Sequence, residues 1–265
     1  MRRVVKRAEV APDAEVVIQR YLASAGLGSR RKCEALVRQG RVTVRGQPAV
    51  LGTRVRPGDR VLLDGKRVRP VEEQYYLLLN KPAGYTVTKG DAHAKKTVFD
   101  LLEGVAFAGL LSPVGRLDRD TEGLLLLTND GLLAHRLTHP SFEVPRTYEV
   151  TIDRAPSEAQ LRALESGVVL EDGMTAPCEA KLLRRKRGHA VVRLTLHEGR
   201  KRQVRRMFAA VGLPVLHLRR VRLGPLELGS LPLGKWRVLS TVERDRLRTA
   251  VGLPPGAPKG EHRTG

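Results

Sequence analysis

Four consecutive leucines, Leu124 to Leu127, stand between two polar stretches, Gly115-Arg-Leu-Asp-Arg-Asp-Thr-Glu-Gly123 and Thr128-Asn-Asp-Gly131. A strand that alternates polar and apolar residues can keep one face in water. Four leucines in succession cannot, so the run predicts a strand buried on both faces. Such a strand needs a substantial core, and 265 residues supply one with room for a small accessory module. Asp130 or Asn129 can cap a following helix whose Leu132, Leu133 and Leu137 face that core.

Charge divides the chain unevenly. The formal net charge is +20 and the isoelectric point about 10.8. Residues 1–70 hold 17 Lys and Arg against 6 Asp and Glu, so about a quarter of the chain carries more than half of the excess. A phosphate backbone is the natural counterpart, because each phosphate neutralised releases condensed counterions. No apolar run approaches the ~18 residues of a membrane span, and the basic N-terminus lacks the apolar core of a signal peptide. Two cysteines, Cys33 and Cys178, are too few for a disulfide framework or a thiolate metal site. A soluble, cytoplasmic protein is expected.

Three segments follow: a basic module at about 15–70, a larger mixed domain at 75–250, and a Pro/Gly-rich tail at 251–265 expected to be disordered. Residues 71–74 read as a short linker that lets the module move. Ile18, Tyr21, Leu22 and Ala25 recur at helical spacing and Gly26 ends that helix; Ser29 can cap a second, with Cys33, Leu36 and Val37 on its apolar face. Arg41–Val44, Val55 and Val61–Leu63 read as strand. Three cations, Arg30, Arg31 and Lys32, open the second helix, where they oppose its dipole and call for a compensating anion. The run Gly28-Ser-Arg-Arg-Lys-Cys-Glu-Ala-Leu-Val-Arg-Gln-Gly-Arg-Val-Thr-Val-Arg-Gly46 resembles the centre of the S4 RNA-binding domain. The resemblance implies that Arg30, Arg31, Lys32, Arg38 and Arg41 contact RNA phosphates.

In the larger domain, Tyr75–Leu79 reads as a buried strand running into the turn Asn80-Lys-Pro-Ala-Gly84. The loop ahead of the leucine run holds Asp118 between Arg116 and Arg119, cations that favour its ionised form. A polar loop feeding a buried strand suits a reactive side chain that needs rigid support. Further on, a strand at 190–196 leads to His197-Glu-Gly199 and a helix over 200–211, with Val204, Met207, Phe208 and Val211 as its apolar stripe. Arg205 borders that stripe, so it is expected to be partly buried and to need a carboxylate, for which Asp118 is the candidate.

Asn80-Lys-Pro-Ala-Gly84, Gly115-Arg-Leu-Asp118 with its leucines, Arg146-Thr-Tyr148, and Glu198-Gly-Arg-Lys-Arg-Gln-Val-Arg205 together resemble the four ordered motifs of the RsuA/RluB family of pseudouridine synthases. With the S4-like module in front, the resemblance covers roughly residues 15–245. It implies that Asp118 is the catalytic aspartate, that Tyr148 stacks on the target uracil, and that Arg205 pairs with Asp118. Arg116 would enter the space the flipped-out uridine vacates, and Lys81 and Pro82 would support the site. The segment Leu233-Gly-Lys-Trp-Arg-Val-Leu239 is more similar to the branch acting on large-subunit ribosomal RNA, so that RNA or its assembling particle is the expected partner. The expected protein is a monomer without cofactor or metal.

Two other patterns lead nowhere. His135 and His139 have metalloprotease spacing, but Arg136 stands where the glutamate belongs and no third ligand is evident. Gly229–Lys235 imitates a phosphate loop, but Trp236 replaces the magnesium-binding hydroxyl. A non-catalytic RNA-binding ribosome assembly factor is the alternative function; it has no need for Asp118, Tyr148 and Arg205. The strand-rich tract 144–240, with no regular βαβ alternation, predicts an α+β domain on a mixed, largely antiparallel sheet with a central active-site cleft.

Overall fold

The leucine run forms the middle of a seven-residue strand enclosed on both sides. The structure, a computed structural model, describes residues 15–89, 94–186 and 188–256. In the basic module, α1 (Ile18–Ser24) packs on α2 (Arg30–Arg38). Beneath them β1 (Val42–Val44), β2 (Val61–Leu63) and β3 (Lys66–Val68) pair antiparallel. Ile18, Leu22, Cys33, Val37, Val42 and Val61 close the module's core. The Ser29 side chain accepts from Lys32 N at 3.3 Å, the expected cap. No acidic residue lies in the first turn of α2.

The larger domain is built on one mixed sheet. Its strands are β4 (Tyr76–Lys81), β5 (Glu122–Thr128), β6 (Arg146–Ile152), β7 (Glu179–Lys186), β8 (His189–Leu196), β9 (Val215–Leu223) and β10 (Trp236–Val238). They lie in the order β7-β8-β6-β9-β5-β4-β10. All these neighbours are antiparallel except β9 and β5, which run parallel over Arg219↔Glu122 and Arg220↔Gly123. The helices are α3 (Gly131–Thr138), α4 (Glu158–Ser166), α5 (Gln203–Ala210) and α6 (Thr241–Ala250). This is the expected α+β architecture.

Strand alternation sorts the leucines into two cores. Leu124 and Leu126 meet Leu78, Leu133, Leu137 and Leu247 on one side. Leu125 and Leu127 meet Leu77, Leu79, Leu102 and Leu111 on the other. All four are fully buried, each worth roughly 1.5–3 kcal/mol of hydrophobic transfer, and together they anchor whatever their preceding loop carries. Asp130 caps α3, its Oδ1 accepting from Leu133 N at 3.0 Å.

Two expectations need correction. The chain does not loosen at residue 251: Val251 and Leu253 are buried in the core beside α6, and the Gly256 amide donates to Asp245 Oδ1 at 3.0 Å. Two apolar side chains among prolines and glycines suffice, because α6 offers them a pocket next to α3. Residues 257–265 of the expected tail lie outside the described residues. The arginine-rich helix also starts late, at Gln203. Arg202 before it takes a left-handed conformation, φ 50°, and Gln203 Oε1 accepts from Arg200 N at 3.0 Å, so residues 199–202 form a turn ahead of the helix. Among the described residues, no helix is long and apolar enough to cross a membrane.

Candidate active site

The parallel seam at the middle of the sheet depends on a missing side chain. Gly123 has φ 104°, and a Cβ there would lie 2.2 Å from the Arg220 carbonyl oxygen. Only glycine lets β9 approach β5 this closely. One strand further out, β9 carries a bulge against β6: Thr147 pairs with Arg222 but Tyr148 pairs with Arg220, leaving Val221 as the extra residue. Bulges re-aim side chains. Here Tyr148 and Arg220 stand directly opposite each other and line the same cavity of about 320 Å³.

The loop 115–121 forms the opposite wall of that cavity and is fastened by Lys81. This lysine is fully buried at the end of β4. Its ammonium donates to the carbonyl oxygens of Pro82, Asp118, Arg119 and Thr121 at 3.0, 3.1, 3.3 and 2.8 Å. Burial pushes its pKa down to about 8, against the pull of Asp120, Glu122 and Asp118, which favour the charge. Lys81 thus holds the loop through the main chain, with the Pro82 carbonyl as one of its four acceptors.

Asp118 itself lines the cavity with 39% of its side chain exposed. Its closest cation is Arg202, Nη1 to Oδ2 at 4.0 Å. The expected ion pair with Arg205 forms elsewhere. Arg205 Nε lies 3.2 Å from Asp120 Oδ2, and its Nη2 donates to the Asp120 carbonyl at 3.1 Å. Arg202 grips the same carboxylate with two bonds of 3.1 and 3.0 Å. Hydrogen bonding from Arg202 and the charge of Arg205 hold the Asp120 carboxyl below its ordinary pKa. The late start of α5 explains the difference, since it leaves Arg202 and Arg205 facing the outer carboxylate of the loop. Asp118 is left uncommitted.

The remaining rim is cationic and organised. Glu198 accepts from Ala176 N at 3.0 Å, from Gln203 Nε2 at 2.5 Å and from Arg200 Nε at 3.2 Å, which fixes the turn leading into α5. Arg116, Arg146, Arg200, Lys201 and Arg202 all line the cavity, against the carboxylates Asp118 and Glu198. A polyanion meets this rim favourably, and a carboxylate inside it is a group that can attack or accept a proton. Asp120, Arg200, Arg202 and Arg220 are absent from the sequence-derived site. Three of the four sit inside motifs already singled out; Arg220 carries no such signal.

In the module, Arg30, Arg31, Lys32 and Arg38 are exposed, as a phosphate-contacting face requires. Arg41 is also exposed, but its Nε donates to Asp64 Oδ1 at 3.0 Å and its Nη2 reaches the other oxygen, so its charge is already answered. His135 and His139 lie with ring centroids 5.1 Å apart, and both meet the Phe142 ring edge-on. That is packing of aromatic rings on one helix end.

Known proteins resemble this chain over both of its domains. A family model described as RNA pseudouridylate synthase matches residues 75–210, and one described as S4 domain matches residues 18–61. A Bacillus subtilis protein named ribosomal large subunit pseudouridine synthase B is 43% identical over 234 residues, spanning 87% of this chain and 95% of its own. A Shigella flexneri protein of the same name is 44% identical over 248 residues, spanning 90% and 84%. A crystal structure of pseudouridylate synthase superposes with a TM-score of 0.64 at 32% identity, covering 88% of this chain and 99% of its own.

Proposed function

Because the chain belongs to the RNA pseudouridylate synthase family, we propose that it isomerises one uridine of large-subunit ribosomal RNA, with Asp118 as the single reacting carboxylate. The observation that carries this reading is the division of labour on one loop. Asp120 holds both arginines, while Asp118, two residues earlier, faces the cavity with no hydrogen-bonded partner among the described residues.

The reaction breaks the bond from ribose C1′ to uracil N1, turns the base and rejoins it through C5. A glycoside hydrolase needs two carboxylates because one must manage water or the leaving group. Here the leaving base is kept and reused, so water is unwelcome and one carboxylate suffices. Asp118 attacks C1′ or removes the C2′ proton; both routes use the same uncommitted oxygen. Tyr148 stacks against the detached uracil, and its phenolic oxygen, once it has given up its own proton, is the base for the C5 proton. The target must first leave its stack, at a cost of a few kcal/mol, and Arg116 at the cavity rim fills the space it vacates.

The S4 module contributes binding energy remote from the reacting atoms, through Arg30, Arg31, Lys32 and Arg38. Large-subunit RNA, alone or within an assembling particle, is the substrate suggested by the names of the relatives. The test is a release assay on ribosomal RNA carrying uridine tritiated at C5. The native protein should release tritium in step with pseudouridine formed, and Asp118→Asn should release none. Release undiminished in Asp118→Asn would remove Asp118 from the chemistry.

A further inference from the structure

Among the cations of the cavity wall to which the mechanism above gives no task, Arg220 is the most deeply enclosed. It is only 2% exposed. Its Nε donates to the Leu124 carbonyl at 2.8 Å, and its Nη2 is buried with no protein acceptor among the described residues. Burial weighs most heavily against its charge; the Tyr148 side chain favours it and Arg146 opposes it, and no carboxylate is among the groups acting on it. Other buried cations are better provided for. Lys81 has four carbonyl oxygens, and Arg244 has Asp245. A guanidinium enclosed without a counter-ion is costly, and a fold keeps one where a negative charge arrives during function.

The geometry says where that charge arises. Tyr148 faces Arg220 directly across the β6–β9 ladder, at the bulge that turns both toward the cavity. Arg220 lines the cavity but is almost wholly enclosed in its wall, and Tyr148 is the more open side chain opposite it in the ladder, so the route from Arg220 to a substrate runs by way of Tyr148. We propose that Arg220 is a positioning residue for Tyr148: it holds the phenol in place and compensates the charge of its phenolate until that oxygen takes the C5 proton. This rests on the reading that a uridine is isomerised in this cavity.

The step balances as follows. Tyr148 loses its hydroxyl proton to solvent beforehand. After C5 has bonded to C1′, the phenolate oxygen takes the proton from C5. The C–H electron pair becomes the C5–C6 double bond, the C6–N1 double-bond pair moves onto N1, and N1 takes a proton from solvent. Arg220 neither gains nor loses a proton.

The experiment compares single-turnover rates on RNA carrying protium or deuterium at C5 of the target uridine. It uses the native protein, Arg220→Met, Arg220→Gln, Arg220→Lys and Tyr148→Phe. Slowing the proton removal makes that step more rate-limiting, so the isotope effect should rise in Arg220→Met and Arg220→Gln as it does in Tyr148→Phe. Their rates should fall roughly 10- to 100-fold with RNA affinity unchanged, and Arg220→Lys should recover most of the loss. The isotope effect is a ratio, so a partly unfolded sample does not disguise the result. An isotope effect equal to the native one in both Arg220→Met and Arg220→Gln, alongside a raised one in Tyr148→Phe, overturns the role of Arg220 alone. A native isotope effect and rate in Tyr148→Phe overturns Tyr148 as the base, and the role of Arg220 with it.

Discussion

The Lys81 ammonium lies 3.1 Å from the main-chain oxygen of Asp118, so the side chain presented to the cavity is held in place through its own backbone. Three other carbonyl oxygens of the same neighbourhood share that ammonium. The buried strand supplies the rigid base, and the lysine ties the Asp118 loop to it.

That tie is sensitive to pH. The Lys81 pKa of about 8 lies below the ordinary 10.5, so the ammonium is present below about pH 8 and is lost as pH rises through it. Turnover should therefore fall on the alkaline side with a midpoint near 8, because a neutral amine has too few protons to hold the loop. Global stability should follow the other direction. Between about 8 and 10.5 the unfolded chain binds the extra proton, so this group makes unfolding harder as pH rises. A pH–rate profile beside thermal unfolding at the same pH values checks both signs. Lys81→Met should lower the rate at every pH and abolish the alkaline limb.

Asp120 occupies both arginines that could otherwise crowd Asp118. In Asp120→Asn, Arg202, already 4.0 Å from Asp118, is expected to turn to it, lowering the rate on the order of 10-fold. The pair is exposed enough that folding stability should change by less than about 1 kcal/mol. A double-mutant cycle of Asp120→Asn with Arg205→Met should show strong non-additivity in rate. Additive effects would mean that Arg205 meets a different carboxylate during turnover.

Gly123 tests the seam. Alanine there would carry a positive φ and press on the Arg220 backbone. Gly123→Ala should cost about 2–4 kcal/mol and lower the melting temperature by several degrees. Denaturant unfolding gives the value directly, and a loss under 0.5 kcal/mol would show that β9 can retreat without harm.

The S4 module should account for much of the affinity. Changing Arg30, Arg31 and Lys32 together to alanine should weaken RNA binding and lower the slope of log affinity against log salt by about 2. Arg41→Ala should alter the slope less, because Asp64 already answers its charge. Filter binding across a salt series reads both.

Much of this architecture is legible in the residues. Four leucines in succession force an enclosed strand, and Ser29 and Asp130 cap the helices that their positions announce. The choice between Asp118 and Asp120 as partner of Arg205 is not legible. The two carboxylates lie two residues apart on one loop, and their distance from α5 depends on where that helix begins and how β9 docks on Gly123. Arg220 is hidden for a related reason. An arginine in an alternating strand looks solvent-exposed, and only the bulge at Val221 and the neighbouring sheet enclose it. Val251 and Leu253 read as part of a polar tail because the pocket that receives them is made by residues far away in sequence.

The most direct measurement is a map of pseudouridines in ribosomal RNA from cells in which Asp118→Asn replaces the native protein. The account predicts the loss of a pseudouridine in large-subunit RNA, restored when the native protein is returned. An unchanged map, with the variant still bound to ribosomal particles, would contradict it.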